Sequence, residues 1–416
     1  MTAENVELAI IGAGPAGVAA AIAASKYSSS SVIVDEQPRP GGRLLCQVHK
    51  NPTKPGEWTN GPAIASDMIA QAQAAGVEIL SRTEVWGIWP SWSVMLGGAG
   101  RGSIEVVKAR AVLVATGAAE SGLPFPGWTR PGVITAGAAQ TMMMQHRLLP
   151  GQRVLVVGTD PLAISVAMDM AEYGAKVVGI VLPPPGPASG AMACPEQAVA
   201  NVARLSNFAP NPALKAFGSV FTQAARVGAY LFPKKGLTVQ HVPFLLRRCI
   251  VDTSGANELE SVTLADMTAG GEIVSGSEQE VEVDTVCISG GLYPLAELAE
   301  ACGCKFTYVD ELGGRVPLYG TDMQTTQAGL FVSGSSTGVE GAQVALAQGR
   351  MAAIGVAGYC GRISPQEVTS LLEKAASEVE AARDQAIICF NPDVVRGRNK
   401  QAQCWKEYQA AISARN

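Results

Sequence analysis

The sequence predicts an α/β fold built around two Rossmann-like βαβ units. Three observations indicate this fold. A GxGxxG turn at residues 12–17 separates a short apolar run from an alanine-rich stretch, and a second unit of the same spacing covers residues 153–182. Further apolar runs at residues 110–117, 283–291 and 328–334 end in glycine turns. Alternating short strands and helices of this kind are typical of parallel sheets.

Composition limits the function classes. The chain has 416 residues, 36 acidic and 31 basic side chains, and a formal net charge of −5. With 47% hydrophobic and 16% charged residues, it can bury a large core, which excludes a disordered chain. The mild acidity and the lack of a basic run argue against a nucleic-acid partner.

The cysteine and charge patterns predict a cytoplasmic protein. Nine cysteines, an odd number spread over a long chain, are unlike a secreted disulfide framework. Residues 8–25 are uncharged, but Glu4 and Glu7 precede them where a signal peptide carries positive charge, and glycines interrupt them. We expect no membrane span.

The first unit has each part that a dinucleotide site needs. Gly12 permits the tight turn, Gly14 lets the backbone approach a pyrophosphate, and Gly17 lets the helix pack closely on the first strand. The helix N-terminus offers N–H donors to the phosphates. Glu36, nineteen residues after Gly17, follows the second strand, where an acid accepts hydrogen bonds from a ribose.

The second unit lacks two of those parts. Asp160 stands at the position of the second glycine, so a Cβ and a negative charge would face a pyrophosphate. The returning strand ends at Leu182 and is followed by three prolines, with neither an acid for NAD nor an arginine for NADP. We therefore expect a dinucleotide fold that does not bind NAD(P).

The C-terminal part is predicted to be helical. Residues 364–367 form a capping box with proline at the first helical position. Residues 391–416 carry five basic and two acidic side chains, and this stretch is either a docking element or a solvated face.

Together these segments resemble the two-dinucleotide-domain flavoproteins of the glutathione and thioredoxin reductase type. The matching segments are the GxGxxG turn, Glu36, the Gly41-Gly42 pair, residues 115–117 and residues 326–349. The resemblance implies that the first unit binds FAD and that the second, an NAD(P)H domain in the family, is inserted between two halves of the FAD domain. The family's Gly-Asp turn, which contacts the ribityl and pyrophosphate groups, reads Gly334-Ser335 here, so its acid is absent.

The resemblance also implies domain boundaries. Residues 1–120 and 284–360 are expected to form the two halves of the FAD domain. Residues 121–283 form the NAD(P)-domain-like insert, and residues 361–416 a helical C-terminal extension.

Residues 34–43 and 123–140 are similar to the α subunits of heteromeric amino-acid dehydrogenases and oxidases. That group includes the D-hydroxyproline, opine, L-proline, cyanide-forming glycine and sarcosine enzymes, and the similarity spans residues 5–355. It implies a smaller β subunit, related to D-amino-acid oxidases, that oxidises the amine. It also implies a relay through FMN at a subunit interface or an iron–sulfur centre.

The cysteines depart from the cluster-binding members of this group, which have CxC followed by CxxC. Cys302 and Cys304 have CxC spacing without a following CxxC, and fourteen residues separate Cys389 from Cys404. A [2Fe–2S] centre is therefore expected on a partner, such as a small iron–sulfur subunit. Cys46 follows the Gly-Gly pair without a nearby second cysteine, which favours a buried hydrophobic role over disulfide exchange.

The resemblance implies a set of candidate FAD-binding residues. Most of them lie in turns and at helix starts in the two halves of the expected FAD domain. They are Gly12, Gly14, Pro15, Ala16, Gly17, Glu36, Gln37, Gly42, Arg43, Leu44, Val85, Ala115, Thr116, Gly117, Gly334, Ser335, Gly341 and Ala342. No residue set for substrate oxidation is recognisable, and the three histidines have no neighbours at metal-ligand spacing, so no metal site is expected.

Three functions remain open at this stage. The preferred one is the FAD-binding α subunit of a heteromeric amine or amino-acid dehydrogenase, whose substrate is oxidised on a β subunit. The second is a stand-alone NAD(P)H-dependent FAD reductase, against which Asp160 argues. The third is a nucleotide-binding scaffold without redox activity, which the missing acid at Ser335 keeps open.

Overall fold

Two sheets with parallel cores organise the chain in the computed structural model, which describes residues 3–50, 57–98, 105–205, 225–386 and 390–414. The chain divides into two units. One comprises residues up to 48, 60–119 and from 292 onwards, and the other comprises residues 49–59 and 120–291. Each unit contains one of the two sheets.

The first unit carries a seven-stranded sheet. Its strands are β1 (Ala3–Ile11), β2 (Ser31–Val34), β5 (Glu78–Leu80), β6 (Glu84–Trp89), β7 (Ser93–Gly97), β8 (Glu105–Val114) and β21 (Leu330–Val332). Their order is β5-β2-β1-β8-β7-β6, with β21 also paired to β8.

Three two-stranded sheets accompany the larger ones. They are formed by β3 (Val48–Lys50) with β4 (Trp58–Asn60), β9 (Ala118–Glu120) with β18 (Leu292–Pro294), and β19 (Phe306–Val309) with β20 (Gly314–Pro317).

Six helices of the described part of the chain belong to the first unit. They are α1 (Pro15–Ser25), α2 (Gly61–Ala74), α7 (Glu297–Ala301), α8 (Ala342–Tyr359), α9 (Pro365–Asp384) and α10 (Val394–Ser413). Helix α1 is buried on nearly every side, which explains its run of alanines and valine in place of an amphipathic stripe. Helix α9 begins with the predicted capping box, since Ser364 Oγ accepts from the Glu367 amide and the Glu367 carboxylate accepts from the Ser364 amide.

The register of the first sheet brings four strand ends to one edge. Ile11 of β1 pairs with Val34 of β2 and with Val114 of β8, and Val114 pairs with Val332 of β21. All four strands are parallel, so the residues that follow them lie at the same carboxyl edge. In α/β folds, ligands bind at this edge.

The second unit carries an eight-stranded sheet. Its strands are β10 (Val133–Thr135), β11 (Arg153–Val157), β12 (Lys176–Leu182), β13 (Leu237–Val239), β14 (Val242–Ser254), β15 (Ser261–Asp266), β16 (Gln279–Glu282) and β17 (Thr285–Ile288). Their order is β10-β17-β11-β12-β14-β15-β16, with β13 paired to β14. Its helices among the described residues are α3 (Ala136–His146), α4 (Pro161–Glu172), α5 (Pro195–Leu205) and α6 (Ala225–Leu231).

The fold class predicted from the sequence is confirmed: an α/β chain with two Rossmann-like units and a helical C-terminal extension. The boundary predicted at residue 283 falls just before β17. This strand pairs with β10 and β11 and so belongs to the second sheet.

Candidate functional site

The turn between β1 and α1 forms the centre of the candidate site. The Gly12 amide donates to the Val34 carbonyl at 2.8 Å, and Gly12 has a φ of +106°. A Cβ at Gly12 would lie 2.4 Å from the Ala115 carbonyl oxygen, and one at Gly17 would lie 2.0 Å from the Gly12 carbonyl oxygen. Both glycines are therefore required by close backbone packing, as the motif predicts.

Gly14 is the N-cap of α1 and differs from its two motif partners. A Cβ at Gly14 would meet nothing within 4 Å, no side chain caps the helix there, and the first turn carries no acid. The positive end of the helix is consequently open in front of Gly14, which is the condition for binding a phosphate.

Two adjacent acids after β2 have different environments. The Asp35 carboxylate accepts hydrogen bonds from the Ala13 amide at 2.6 Å and the Gln37 amide at 2.8 Å, and so fixes the glycine turn. Burial raises the pKa of Asp35, against these two hydrogen bonds, and the nearby Glu36 raises it further. Glu36, the predicted ribose ligand, is exposed, and its carboxylate accepts from the Gln37 side chain at 3.1 Å.

The Gly-Gly pair lies directly on this turn. The Gly41 amide donates to the Ala13 carbonyl at 2.9 Å, and a Cβ at Gly42 would lie 2.9 Å from the Gly14 Cα. Arg43 is exposed, whereas Leu44 is buried beside the turn. Residues 41–44 therefore form one wall of a cradle in front of Gly14.

The end of β8 supplies the opposite wall. The Ala115 amide donates to the Ile11 carbonyl at 2.8 Å, and the Thr116 hydroxyl donates to the Leu295 carbonyl. Gly117 has a φ of +83°, and a Cβ there would meet nothing within 4 Å. Val85, half-buried in β6, lies two residues after Thr83, whose amide donates to the Asp35 carbonyl at 3.0 Å.

The C-terminal segment of the site packs against the start of α1. A Cβ at Gly334 would lie 2.7 Å from the Ala16 Cβ, and one at Gly349 in α8 would lie 2.1 Å from the Ala16 carbonyl oxygen. Gly341, which precedes Ala342, is the N-cap of α8, and no side chain caps this helix either. The start of α1 and the turn before α8 thus meet at Ala16, although Gly334 and Ala16 are far apart in sequence.

Gln348, which sequence reasoning missed, organises the Gly334 turn. Its buried side-chain carbonyl accepts from the Gly334 amide at 2.9 Å, and the Thr337 hydroxyl donates to the Gly334 carbonyl at 2.8 Å. Ser335 is half-buried, and its carbonyl accepts from the Gly338 amide at 3.1 Å. The few polar side chains of an otherwise small and apolar helix, Gln343, Gln348 and Arg350, were the available signal.

The second unit repeats the backbone of the first with a different N-cap. The Gly158 amide donates to the Val181 carbonyl at 2.9 Å, as Gly12 does to Val34. Asp160 caps α4 by accepting hydrogen bonds from the Leu162 amide at 2.9 Å and the Ala163 amide at 3.1 Å. Burial raises the pKa of Asp160, against hydrogen bonds from Ser289 and these amides. The N-terminus of α4 is therefore occupied by the chain's own carboxyl group.

The remaining candidate groups are not assembled into a second reactive site. Among the described residues no three His, Cys, Asp or Glu side chains are grouped for a metal ion. Burial raises the pKa of Cys302 to about 11, with Cys304 contributing, so these thiols are not activated. Cys46 is 2% exposed, and Cys389 lies outside the described residues. Burial lowers the pKa of the half-buried His49.

The described helices include none that is both long and apolar enough to cross a lipid bilayer.

Residues 6–189 match the sequence model of the pyridine nucleotide-disulphide oxidoreductases. The chain is 28% identical over 396 residues to the A subunit of opine oxidase from Agrobacterium tumefaciens (strain Ach5), covering 92% of this chain and 71% of that protein. It is 25% identical over 431 residues to the HcnB subunit of hydrogen cyanide synthase from Pseudomonas aeruginosa, covering 96% of this chain and 85% of that protein.

Two solved structures have the same fold. L-proline dehydrogenase from P. horikoshii aligns with a TM-score of 0.61 at 17% identity, over 90% of this chain and 60% of that one. Thioredoxin reductase from Lactococcus lactis aligns with a TM-score of 0.58 at 18% identity, over 86% of this chain and 100% of that one.

These findings define the class: the chain is an FAD-dependent oxidoreductase, similar over residues 6–189 to the pyridine nucleotide-disulphide oxidoreductases. More particularly, its relatives over nine-tenths of the chain are subunits of oxidase and synthase complexes, and the resemblance predicted from the sequence is confirmed. The cradle before Gly14 suits FAD, because no side chain caps the first amides of α1 and only a glycine at position 42 leaves the space beside Gly14 free, where a Cβ would lie 2.9 Å from the Gly14 Cα.

Proposed function

We propose that this chain is the FAD-binding α subunit of a heteromeric amine or amino-acid dehydrogenase or oxidase. The proposal depends on the contrast between α1, whose N-terminus is open, and α4, whose N-terminus is covered by Asp160. One dinucleotide site can accept a diphosphate, whereas the other already holds a carboxyl group in its place. Such a chain would bind FAD without accepting electrons from NAD(P)H.

In this proposal, the first turn of α1 and Gly14 bind the FAD diphosphate, and Glu36 accepts hydrogen bonds from the adenosine ribose. Gly334 and Ser335 face the ribityl chain, with Ser335 offering a hydroxyl where the family has a carboxylate. Asp35 does not touch the cofactor but holds the Ala13 amide, and so keeps the turn in shape. Bound FAD would supply one- and two-electron transfer.

We place substrate oxidation on a partner. In a D-amino-acid-oxidase-like β subunit, that partner's own flavin would accept a hydride from a carbon next to nitrogen, and the nitrogen would lose a proton, giving an imine that hydrolyses. FMN at the subunit interface, or a [2Fe–2S] centre on a small partner, would relay the electrons. The support is that similar proteins carry the names of oxidase and synthase subunits, and that no dithiol or metal group lies among the described residues near the FAD cradle. A cytoplasmic location remains a prediction.

The test is an absorption spectrum of the purified chain, repeated under anaerobic conditions after excess NADH and then NADPH. Flavin bands are expected, and they should persist with both nucleotides. Dithionite added afterwards is the control and should bleach the same bands, which establishes that the bound flavin is reducible.

Two other results would replace the proposal. Prompt bleaching by either nucleotide would favour a stand-alone NAD(P)H-dependent reductase and would mean that Asp160 does not block the second unit. A chain purified without flavin that also fails to bind added FAD would favour a nucleotide-binding scaffold.

A further inference from the structure

Helix α10 is attached to the rest of the first unit through a buried arginine. The Arg398 side chain is 11% exposed. Its guanidinium group donates to the Glu340 carboxylate at 2.8 Å, to the Tyr319 hydroxyl at 2.8 Å and to the Thr337 carbonyl at 2.7 Å. A further bond reaches the Gly338 carbonyl at 3.2 Å. All three guanidinium nitrogens therefore have partners.

The carbonyls that Arg398 binds lie in the turn between β21 and α8, at residues 334–341. Gly334, Gly338 and Gly341 all have positive φ in this turn, at +73°, +131° and +100°. Three such glycines leave the backbone of this segment little restricted, because glycine is the least restricted residue, so the contacts of Arg398 add to the Thr337 and Gln348 hydrogen bonds that shape it. The same segment contains Gly334 and Ser335 and ends at the uncapped N-terminus of α8.

Two arginines from the C-terminal extension surround one carboxylate at this turn. Arg383 of α9 and Arg398 of α10 both pair with Glu340, whose side chain is 4% exposed. Burial raises the pKa of Glu340, but the two guanidinium groups lower it by more, so the pKa lies below its ordinary value. The cluster is thus ionised and carries one excess positive charge directly before α8. Removing one member of such a cluster leaves an unpaired buried charge, which is strongly unfavourable.

We propose that Arg398 is a positioning residue of the flavin site: it fixes the Gly334–Gly341 turn, so the C-terminal helix completes the cofactor cradle. The inference rests on the proposed placement of FAD at Gly334 and Ser335. It gives residues 394–413 a role inside the subunit, where the sequence left a choice between a docking element and a solvated face.

The same helix provides a matched control. Arg396 and Lys400 bind Glu311, with the Arg396 Nε at 2.8 Å and the Lys400 Nζ at 2.6 Å from the Glu311 Oε1. Arg396 also anchors α10, but its side chain is 60% exposed and it pairs with Glu311 and Asp393, which lie outside residues 334–341. Arg396→Gln therefore weakens the helix attachment without touching the turn.

The first measurement is hydrogen exchange of the turn amides, in the full chain without cofactor. Arg398→Lys is expected to accelerate exchange at residues 337–341, because one ammonium group cannot replace the fork that binds two carbonyls and Glu340. Arg396→Gln should leave these amides at the wild-type rate. Equal acceleration in both variants would mean that Arg398 only attaches the helix, and would overturn the proposal.

The second measurement is FAD affinity, by fluorescence titration, with the visible circular dichroism of the bound flavin. Arg398→Met should weaken FAD binding about 10-fold or more, since a charge-assisted hydrogen bond contributes about that factor. It should also change the dichroism. Arg398→Lys, which keeps the positive charge, should change both the FAD affinity and the dichroism less than Arg398→Met does. Wild-type affinity and dichroism in Arg398→Met would refute the inference.

A third variant guards against a folding failure. If Arg398→Met does not fold, Tyr319→Phe, which removes one partner of Arg398 and no charge, should still change the flavin dichroism, and an unchanged signal there would count against the inference. Failure of wild-type FAD binding would instead overturn the proposed function. The exchange experiment needs no cofactor and would then still decide whether Arg398 holds the turn.

Discussion

Helices α1 and α4 start at equivalent turns of their sheets, but different atoms face their first backbone amides. Before α1 stands Gly14, with open space beside it, and before α4 stands Asp160, whose carboxyl group accepts from two of those amides. The preceding turns are alike, with Gly12 bonded to Val34 and Gly158 bonded to Val181 at nearly equal distances. One residue therefore separates a turn that can receive a phosphate from one that supplies its own anion.

The comparison indicates that the anion requirement of a helix N-terminus can be met from inside or outside the chain. When a side chain meets it, the helix is capped and the fold persists without a ligand. When no side chain meets it, the same geometry is left for a cofactor. The βαβ pattern alone does not distinguish these cases, but the residue at the N-cap does.

The largest expected effect comes from the third position of the motif. Gly17→Ala places a Cβ 2.0 Å from the Gly12 carbonyl oxygen, whereas the second unit already accommodates Ala163 there. We expect Gly17→Ala to lower the free energy of unfolding by about 3 kcal/mol. Ala163→Gly, the reciprocal control, should cost about 1 kcal/mol. Urea unfolding followed by circular dichroism would measure both, and equal small losses would contradict the close packing of α1 on β1.

The next effect tests the N-cap directly. Gly14→Asp installs the residue of the second unit at the first, and the φ of −76° and the open space allow it. FAD affinity should fall at least about 100-fold, because a carboxylate would face the diphosphate and like charges repel. The free energy of unfolding of the cofactor-free chain should not fall, since aspartate caps helices well.

Gly14→Ala is the uncharged control for that variant, and it should reduce FAD affinity less. Fluorescence titration of both variants gives the difference between bulk and charge. Unchanged FAD binding in Gly14→Asp would mean that the diphosphate does not lie at α1.

A smaller effect is expected from the reverse change. Asp160→Ala removes the cap of α4 and should lower the free energy of unfolding by about 1 kcal/mol. It should not make the flavin reducible by NADH, because β12 ends without an acid or an arginine for the ribose. Bleaching of the flavin by NADH in this variant would show that Asp160 alone blocks the second unit.

The smallest effect concerns a carboxyl group within α4 for which α1 has no counterpart. Burial, with a contribution from Glu172, raises the pKa of Asp169 to about 7. The folded chain holds this proton more tightly than the unfolded chain, so stability from this group is present at low pH and is lost as pH rises from about 4 to about 7.

Asp169→Asn removes that loss. At pH 8 it should raise the melting temperature, with a gain in the free energy of unfolding below about 1 kcal/mol, because water still reaches this partly exposed side chain. At pH 4 it should leave the melting temperature unchanged. Melting curves at the two pH values measure this. An increase of the same size at both would assign the effect to packing.

The sequence predicted the elements better than the contacts between distant segments. Elements that depend on a local sequence pattern were predictable. They include the strands around residues 6–11, 31–34 and 153–157 and the capping box at Ser364. The choice between Asp35 and Glu36 was not predictable, since the spacings of two adjacent acids from the glycines differ by only one residue. The bond between Gly334 and Gln348 and the contacts of Arg398 join segments whose meeting depends on tertiary packing.

The register of β21 has a consequence for synthesis of the chain. Residues 112–114 of β8 are fully buried and pair with residues 330–332, whereas the earlier residues of β8 pair with β7. Until β21 leaves the ribosome, this half of β8 can pair with β1 on one side, but its other edge lacks a partner and is open to mispairing or to chaperones. The second unit, residues 49–59 and 120–291, is complete before β21 is made and can fold during this delay. The nascent first unit therefore passes through a vulnerable interval that the second one does not.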